Sequence, residues 1–212
     1  MASKTGVRPL LITDCDEVLL HMVSHFEAWL GEAHGIDFDF EGGKFADALT
    51  VRASGEALGE ERVWPLLHQF FREEMSRQTP VPGAIEALGR IGEVADIVVL
   101  TNLGDEAHGW RVEQLASHGI RHEVVTNQGG KGVPARAIIE RHSPSVVAFV
   151  DDLPVHHGSV AKHAPEVWRL HMVAEPRLAP NVAPAEMAHV RIDDWDTACD
   201  WILAKFEKGQ AA

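Results

Sequence analysis

The stretch Pro9-Leu10-Leu11-Ile12-Thr13-Asp14-Cys15-Asp16 runs from a turn residue through three aliphatic side chains into a pair of acids. A short apolar run bounded in this way reads as a buried strand. Five similar runs follow, at 96–101, 123–126, 145–150, 167–173 and 189–192. Between and after them lie stretches of helical period at 82–91, 106–118, 134–141, 155–163 and 197–208. Strands alternating with helices across short loops predict an α/β fold, a doubly wound Rossmann-like parallel sheet with helices on both faces.

The stretch 21–79 breaks this rhythm. Its apolar residues recur at helical spacing (Phe26, Trp29, Leu30; Trp64, Leu67, Phe70, Phe71), and it offers no convincing strand. It reads as a small α-helical cap of residues 21–79, inserted into a core of residues 1–20 and 80–212. The insertion leaves after the first strand and returns at Pro80, Pro82 and Gly83, so it projects over the edge where that strand ends. The Pro- and Ala-rich run 176–184 reads as a surface loop.

The 212 residues suffice for a buried core, and the formal charge of −13 disfavours nucleic-acid backbones and anionic membranes as partners. Residues 1–8 hold no long apolar run, so neither a signal peptide nor a membrane span is expected. Two cysteines far apart, one between two acids, make a structural disulfide a poor expectation and a cytoplasmic location the natural one.

In open α/β sheets ligands bind beyond the carboxyl ends of the strands. Those ends here carry Asp14 and Asp16; Thr101 and Asn102; Lys131, after a glycine-rich turn; and Asp151 and Asp152. Asp-x-Asp recurs at Asp37/Asp39 and at Asp194/Asp196, so the motif alone says little, and its place after an apolar strand is what distinguishes Asp14 and Asp16. Two like charges about 4 Å apart repel by about 4 kcal/mol at an effective dielectric of about 20, so converging acids need a counter-charge. Carboxylate oxygens with few soft ligands favour a hard cation, magnesium above all, and Lys131 adds a fixed positive charge. A carboxylate can attack phosphorus while a second carboxyl group protonates the leaving oxygen and then activates water, roles that Asp14 and Asp16 fit. Thr101 can donate to a phosphoryl oxygen, and the start of the following helix offers backbone N–H groups.

Together these residues resemble the haloacid dehalogenase-like superfamily, whose four motifs recur in order. Asp14 to Leu19 is similar to motif one, Thr101 to motif two, Lys131 to motif three, and Asp151 with Asp152 to motif four. The resemblance implies Asp14 as nucleophile, Asp16 as general acid and base, Thr101, Asn102 and Lys131 around the phosphate, and Asp152 as a magnesium ligand beside Asp14. It also implies that the backbone carbonyl of Asp16 binds the ion and that the insertion governs access. An acid at position 16 points to phosphatase over dehalogenase chemistry, hence to a small phosphorylated metabolite. Two positions depart from the pattern. Glu17 stands where the family usually has Gly, placing a charge beside the catalytic turn. His156 stands four after Asp152, where many members have an acid, which leaves Asp151 as a further candidate ligand.

Other readings compete. The turn from Gly130 to Ala135 matches G-x-G-x-x-A, and Asp151 follows about twenty residues later, as in a dinucleotide site. That reading leaves Asp14, Asp16 and Thr101 unexplained. A Walker loop fails because Gly132 follows the lysine. His21 with His25, and His156 with His163, have helical spacings but lack the glutamate of a zinc protease motif, so they read as packed or solvated. Phe26, Trp29, Trp64, Phe70 and Phe71 read as core, and Lys44, Arg52 and Arg62 as surface cations able to meet an anionic leaving group. Cys15 reads as a small buried residue whose thiol, placed between acids, is open to oxidation or alkylation. A catalytically impaired binding or regulatory protein on the same fold, and a phosphomutase, are the functional alternatives.

Overall fold

The computed structural model describes residues 7–39, 48–209 and 211. Six strands form one sheet: β1 (Leu10–Thr13), β6 (Asp96–Thr101), β7 (Glu123–Thr126), β8 (Val147–Asp151), β9 (Trp168–His171) and β10 (Val190–Arg191). The remaining strands, β2 (Leu20–His21), β3 (Ile36–Phe38), β4 (Leu49–Val51) and β5 (Thr79–Pro80), lie outside it. The sheet order is β10-β9-β8-β1-β6-β7, and every pairing is parallel. From β1 the chain winds outward through β6 and β7, then crosses back to β8 and winds the other way. The order therefore reverses between β1 and β8, the topological switch point at which open sheets bind ligands.

The helices follow from this winding. In α3 (Ala84–Val94), α4 (His108–Ser117) and α7 (Trp195–Lys208), Leu88, Leu115 and Ile202 pack with Leu11, Val99 and Val150 on one face of the sheet. In α5 (Gly132–His142) and α6 (Pro154–His163), Ile138 and Val160 pack with Leu10, Ile12 and Phe149 on the other. Alternate residues of one strand thus reach opposite cores, as the two-residue period of a strand requires. Burying each such side chain contributes about 1.5–3 kcal/mol. The glycine-rich turn before α5 serves this packing: a Cβ at Gly132 would collide with the Ser159 carbonyl of α6. Its glycines answer to helix contact, which removes the support for a dinucleotide loop.

The insertion holds α1 (Val23–Trp29) and α2 (Glu60–Glu73) around an apolar cluster of its own, built on Phe26, Trp29, Phe70 and Phe71 and closed by Leu103 and Ala107 from the loop after β6. Contrary to the expectation of a strandless insertion, β3 and β4 pair antiparallel, Ile36 opposite Val51 and Phe38 opposite Leu49. Three residues of alternation are too short to outweigh the helical periodicity on either side. The chain leaves through β2 and returns through β5, which pair with each other, Leu20 opposite Pro80. Among the described residues no helix is long and apolar enough to cross a membrane.

Candidate active site

Asp14 lies one residue beyond β1, its backbone N–H donating to Val150 of β8 at 2.9 Å. The switch point thereby brings together two chain segments more than 130 residues apart in sequence, Asp14 and the Asp151-Asp152 pair. One ligand atom from each of Asp14, Asp151 and Asp152 lies within 4.8 Å of the others. Lys131, fully buried at the start of α5, reaches Asp14 Oδ1 and Asp151 Oδ2, each at 2.7 Å. Burial disfavours its charge, but the two carboxylates outweigh this and hold Lys131 above its ordinary value. Three carboxylates against one ammonium leave two negative charges in excess. The strain is visible in Asp14, which burial pushes up to about 7 against the pull of Lys131. Burial and the neighbouring Asp151 and Asp14 charges likewise hold Asp152 well above the ordinary carboxylate range.

The oxygens divide the labour. Asp14 Oδ1 accepts from Lys131 and from the Cys15 backbone N–H at 2.7 Å, while Oδ2 accepts no hydrogen bond from the described residues. Asp151 is held on both oxygens, by Lys131 and by the Leu153 N–H at 2.9 Å. Asp152 lines the cavity beside Asp14 and makes no side-chain hydrogen bond among the described residues. Behind the pair, His157 Nε2 lies 3.0 Å from the Asp151 carbonyl and His171 Nε2 lies 2.8 Å from that of Asp152. His171 Nδ1 accepts from the Ala185 N–H, so its proton is on Nε2 and donates to Asp152. Burial lowers His157 to about 4 and lowers His171 as well, so both rings are neutral props for the acidic loop.

Asp16 lines the same cavity as Asp14 and Asp152, but its carboxylate is held from another side. Both its oxygens accept from Arg111 Nη2, at 2.9 and 2.8 Å, and Oδ1 also accepts from Gln78 Nε2 at 2.6 Å. Arg111 is fully buried on α4; its Nη1 donates to Cys15 Sγ, Gln78 and Gln114, and its guanidinium lies 5.6 Å from the centre of the Phe71 ring. A clamp from the core therefore joins Asp16 to Gln78, beside β5, and to Phe71, in α2. Nothing in the sequence singles out Arg111, because a polar residue three before Gln114 on a helix resembles a solvated face. Cys15 is fully buried beneath it, in line with its reading as a small buried residue, and burial raises its thiol far above the ordinary value, which disfavours the thiolate that oxidation or alkylation needs.

Thr101 ends β6 fully buried, and its Oγ1 has no hydrogen-bond partner among the described residues. Asn102 lines the cavity, donating to the Gly129 carbonyl and accepting from Asn127, each at 2.9 Å. His156 also lines it; burial lowers its pKa, so a neutral ring stands where the family pattern has an acid. Of the Asp-x-Asp copies, Asp37 pairs with Arg52 on the exposed β3–β4 hairpin, and Asp194 caps α7 through the Thr197 N–H. Arg62 borders a separate shallow cleft with His34 and Gln69. Lys44 lies outside the described residues.

The cavity above Asp14 holds about 450 Å³ and continues between core and insertion. A neighbouring cleft of about 300 Å³ shares Trp64, Leu67, Phe71 and Asn102 with it. The expectation that all five aromatics are core is corrected for Trp64, which is 50% exposed and borders both spaces. Its helical spacing from Leu67 and Phe71 places it on the cavity side of α2, at the rim of the apolar stripe.

No family model and no curated protein matches the sequence. Solved structures match nearly its whole length. A protein assigned as a haloacid dehalogenase-like hydrolase from Burkholderia xenovorans has 15% identity and a TM-score of 0.61, over 94% of this chain and 98% of that one. One assigned as a β-phosphoglucomutase from Thermotoga maritima has 14% identity and a TM-score of 0.63, over 92% and 99%. YfnB of Bacillus subtilis, assigned as a HAD-hydrolase and solved bound to magnesium, has 10% identity and a TM-score of 0.63, over 93% and 99%. The fold is that of the haloacid dehalogenase-like hydrolases.

Proposed function

We propose that the chain is a magnesium-dependent phosphomonoester hydrolase that works through an aspartyl-phosphate on Asp14. The observation that carries this reading is the uncompensated charge: Asp14, Asp151 and Asp152 against Lys131 alone, in a buried pocket at the switch point. Such a donor set, all hard oxygens and no available thiolate, fits a small divalent cation. Asp14 and Asp152 would hold the ion with the Asp16 backbone carbonyl, and it would neutralise phosphoryl oxygens when bound. The magnesium-bound solved structure of the same fold is in keeping with this choice.

In the reaction, Asp14 Oδ2 attacks phosphorus, and the bond to the leaving oxygen breaks with its electron pair staying on that oxygen. Asp16 gives the leaving oxygen a proton. Water, deprotonated in turn by Asp16, attacks the phosphorus and frees Asp14. Lys131 holds phosphoryl charge, and the Thr101 hydroxyl at the end of β6, without a hydrogen-bond partner among the described residues, would supply a further donor. Asn102 stands at its rim. The space for the leaving group is walled by Met22, Phe38, Leu67, Phe71 and Leu178, and no Lys or Arg borders it among the described residues. These apolar walls favour an uncharged, largely apolar alcohol as the leaving group.

Phosphate release from a panel of aryl, alkyl, sugar and bisphosphate esters, with magnesium and with chelator, tests the reading. Turnover is expected with magnesium only, fastest on the aryl and alkyl monoesters. No turnover on any ester, with magnesium binding intact, would make the chain a binding protein.

A further inference from the structure

A second constellation at the neck plays no part in that chemistry. Glu17 adopts φ 58°, a left-handed conformation that costs a non-glycine residue about 1–2 kcal/mol. Its carboxyl group is buried, at 2% exposure. Oε1 accepts from the backbone N–H groups of Met22 and Val23 at 2.7 and 2.6 Å, capping the start of α1 and offsetting the strain. The other oxygen, Oε2, is buried with no hydrogen-bond partner among the described residues, and so is Nδ1 of His21. These two atoms face each other at 4.0 Å, too far for a hydrogen bond. The third member is Glu175, buried on the loop after β9, and one ligand atom from each of the three lies within 4.8 Å of the others. Arg177 stands behind Glu175, its backbone N and Nε donating to Oε1 at 3.1 and 3.3 Å.

Each buried polar atom without a partner costs about 1–3 kcal/mol, and two buried carboxylates at this range repel besides. One cation coordinated by two carboxylate oxygens and an imidazole nitrogen relieves all of this at once. We propose that Glu17, His21 and Glu175 form a binding site for a divalent transition-metal ion, zinc fitting best. The imidazole nitrogen selects against magnesium and calcium, and zinc takes His and carboxylate ligands at about 2.0–2.2 Å. Arg177 is the outer-shell partner that fixes the orientation of Glu175. His21, with 18% of its side chain exposed, leaves a path for the ion and for a water ligand. The site shares no ligand with the Asp14 cluster, so the two ions can coexist. Because His21 lies in β2, one of the two strands through which the insertion joins the core, the ion would tie that ribbon to the β9 loop. Glu17 then replaces the usual glycine as a ligand.

The rival occupant is a proton on His21 bridging the two carboxylates. The full chain, stripped with chelator, is dialysed against limiting zinc in a large excess of magnesium, and bound zinc is measured by mass spectrometry. One zinc per chain is expected in the native chain and in Asp152→Asn, with affinity lower by about tenfold or more in His21→Gln and Glu175→Gln. Nitrogen NMR of the zinc-loaded native chain should place the metal on His21 Nδ1, a reading that needs no variant to fold. No retained zinc, equal retention in His21→Gln, or loss confined to Asp152→Asn would overturn the proposal.

Discussion

Asp14 and Asp16 are two residues apart, yet they sit in opposite electrostatic settings. Asp14 belongs to a region with negative charge in excess, its one ammonium shared with Asp151. Asp16 belongs to a region whose carboxylate is matched by a fully buried guanidinium and further held by Gln78. The first arrangement leaves negative charge that, in the proposed function, a cation and a phosphoryl group would complete. The second is already charge-matched, with Arg111 Nε alone of its guanidinium nitrogens lacking a partner among the described residues, and it reaches into the insertion through Phe71 and Gln78. Under the proposed reading, the contrast means that the chain prepares Asp14 as nucleophile by leaving charge unsatisfied and Asp16 as proton carrier by fixing its position.

The largest effect should come from removing the unsatisfied charge. Asp14→Asn is expected to lower phosphate release by about 10⁴-fold or more, measured as kcat with magnesium present. The same variant should change stability with the opposite sign. In the native chain the folded carboxyl group sits at about 7 against an ordinary 3.8, so the folded state keeps a proton that the unfolded state has released. The metal-free native chain therefore loses stability from this group as pH rises from about 4 to about 7. Asp14→Asn should lack that loss and melt higher than the native chain at pH 8 in chelator, and magnesium should close the gap. Equal melting of the two at pH 8 in chelator would break the account of Asp14.

The matched region is sharpened by Arg111→Lys, which keeps the charge but not the fork. As a positioning residue for Asp16, Arg111 should control kcat far more than KM. A fall of about 10- to 100-fold in kcat is expected, with KM little changed and the pH profile displaced. A fall in stability with an unchanged profile would reduce Arg111 to a packing role. The smallest effect belongs to the cavity rim: Trp64→Ala should raise KM for aryl esters by about 2- to 10-fold and leave kcat in place.

The sequence reads well where the chain is repetitive and poorly where it folds back on itself. The apolar run before Asp14 and the five after it appear as the six strands of the sheet, because strands buried on both faces must be continuously apolar. Parallel winding sets the carboxyl ends of those strands along one edge, which is why Asp14, Lys131, Asp151 and Asp152 could be named before their distances were known. The β3–β4 hairpin escaped because Ile36-Asp37-Phe38 is too short to show its period. Arg111, His157 and His171 escaped for another reason. Each acts through a partner remote in the sequence or through a backbone carbonyl, and no spacing announces such a bond. Trp64 was misjudged because an apolar stripe on a helix does not say which of its residues meets a neighbour and which meets a cavity.

The central claim is that Asp14 accepts a phosphoryl group. Acid quenching of the chain during turnover of an aryl phosphate or acetyl phosphate with magnesium, followed by peptide mass spectrometry, tests it directly. The account predicts one phosphoryl group on the peptide carrying Asp14, absent without magnesium and absent in Asp14→Asn. Magnesium-dependent turnover that persists in Asp14→Asn, or a phosphoryl group on any other residue, would contradict it.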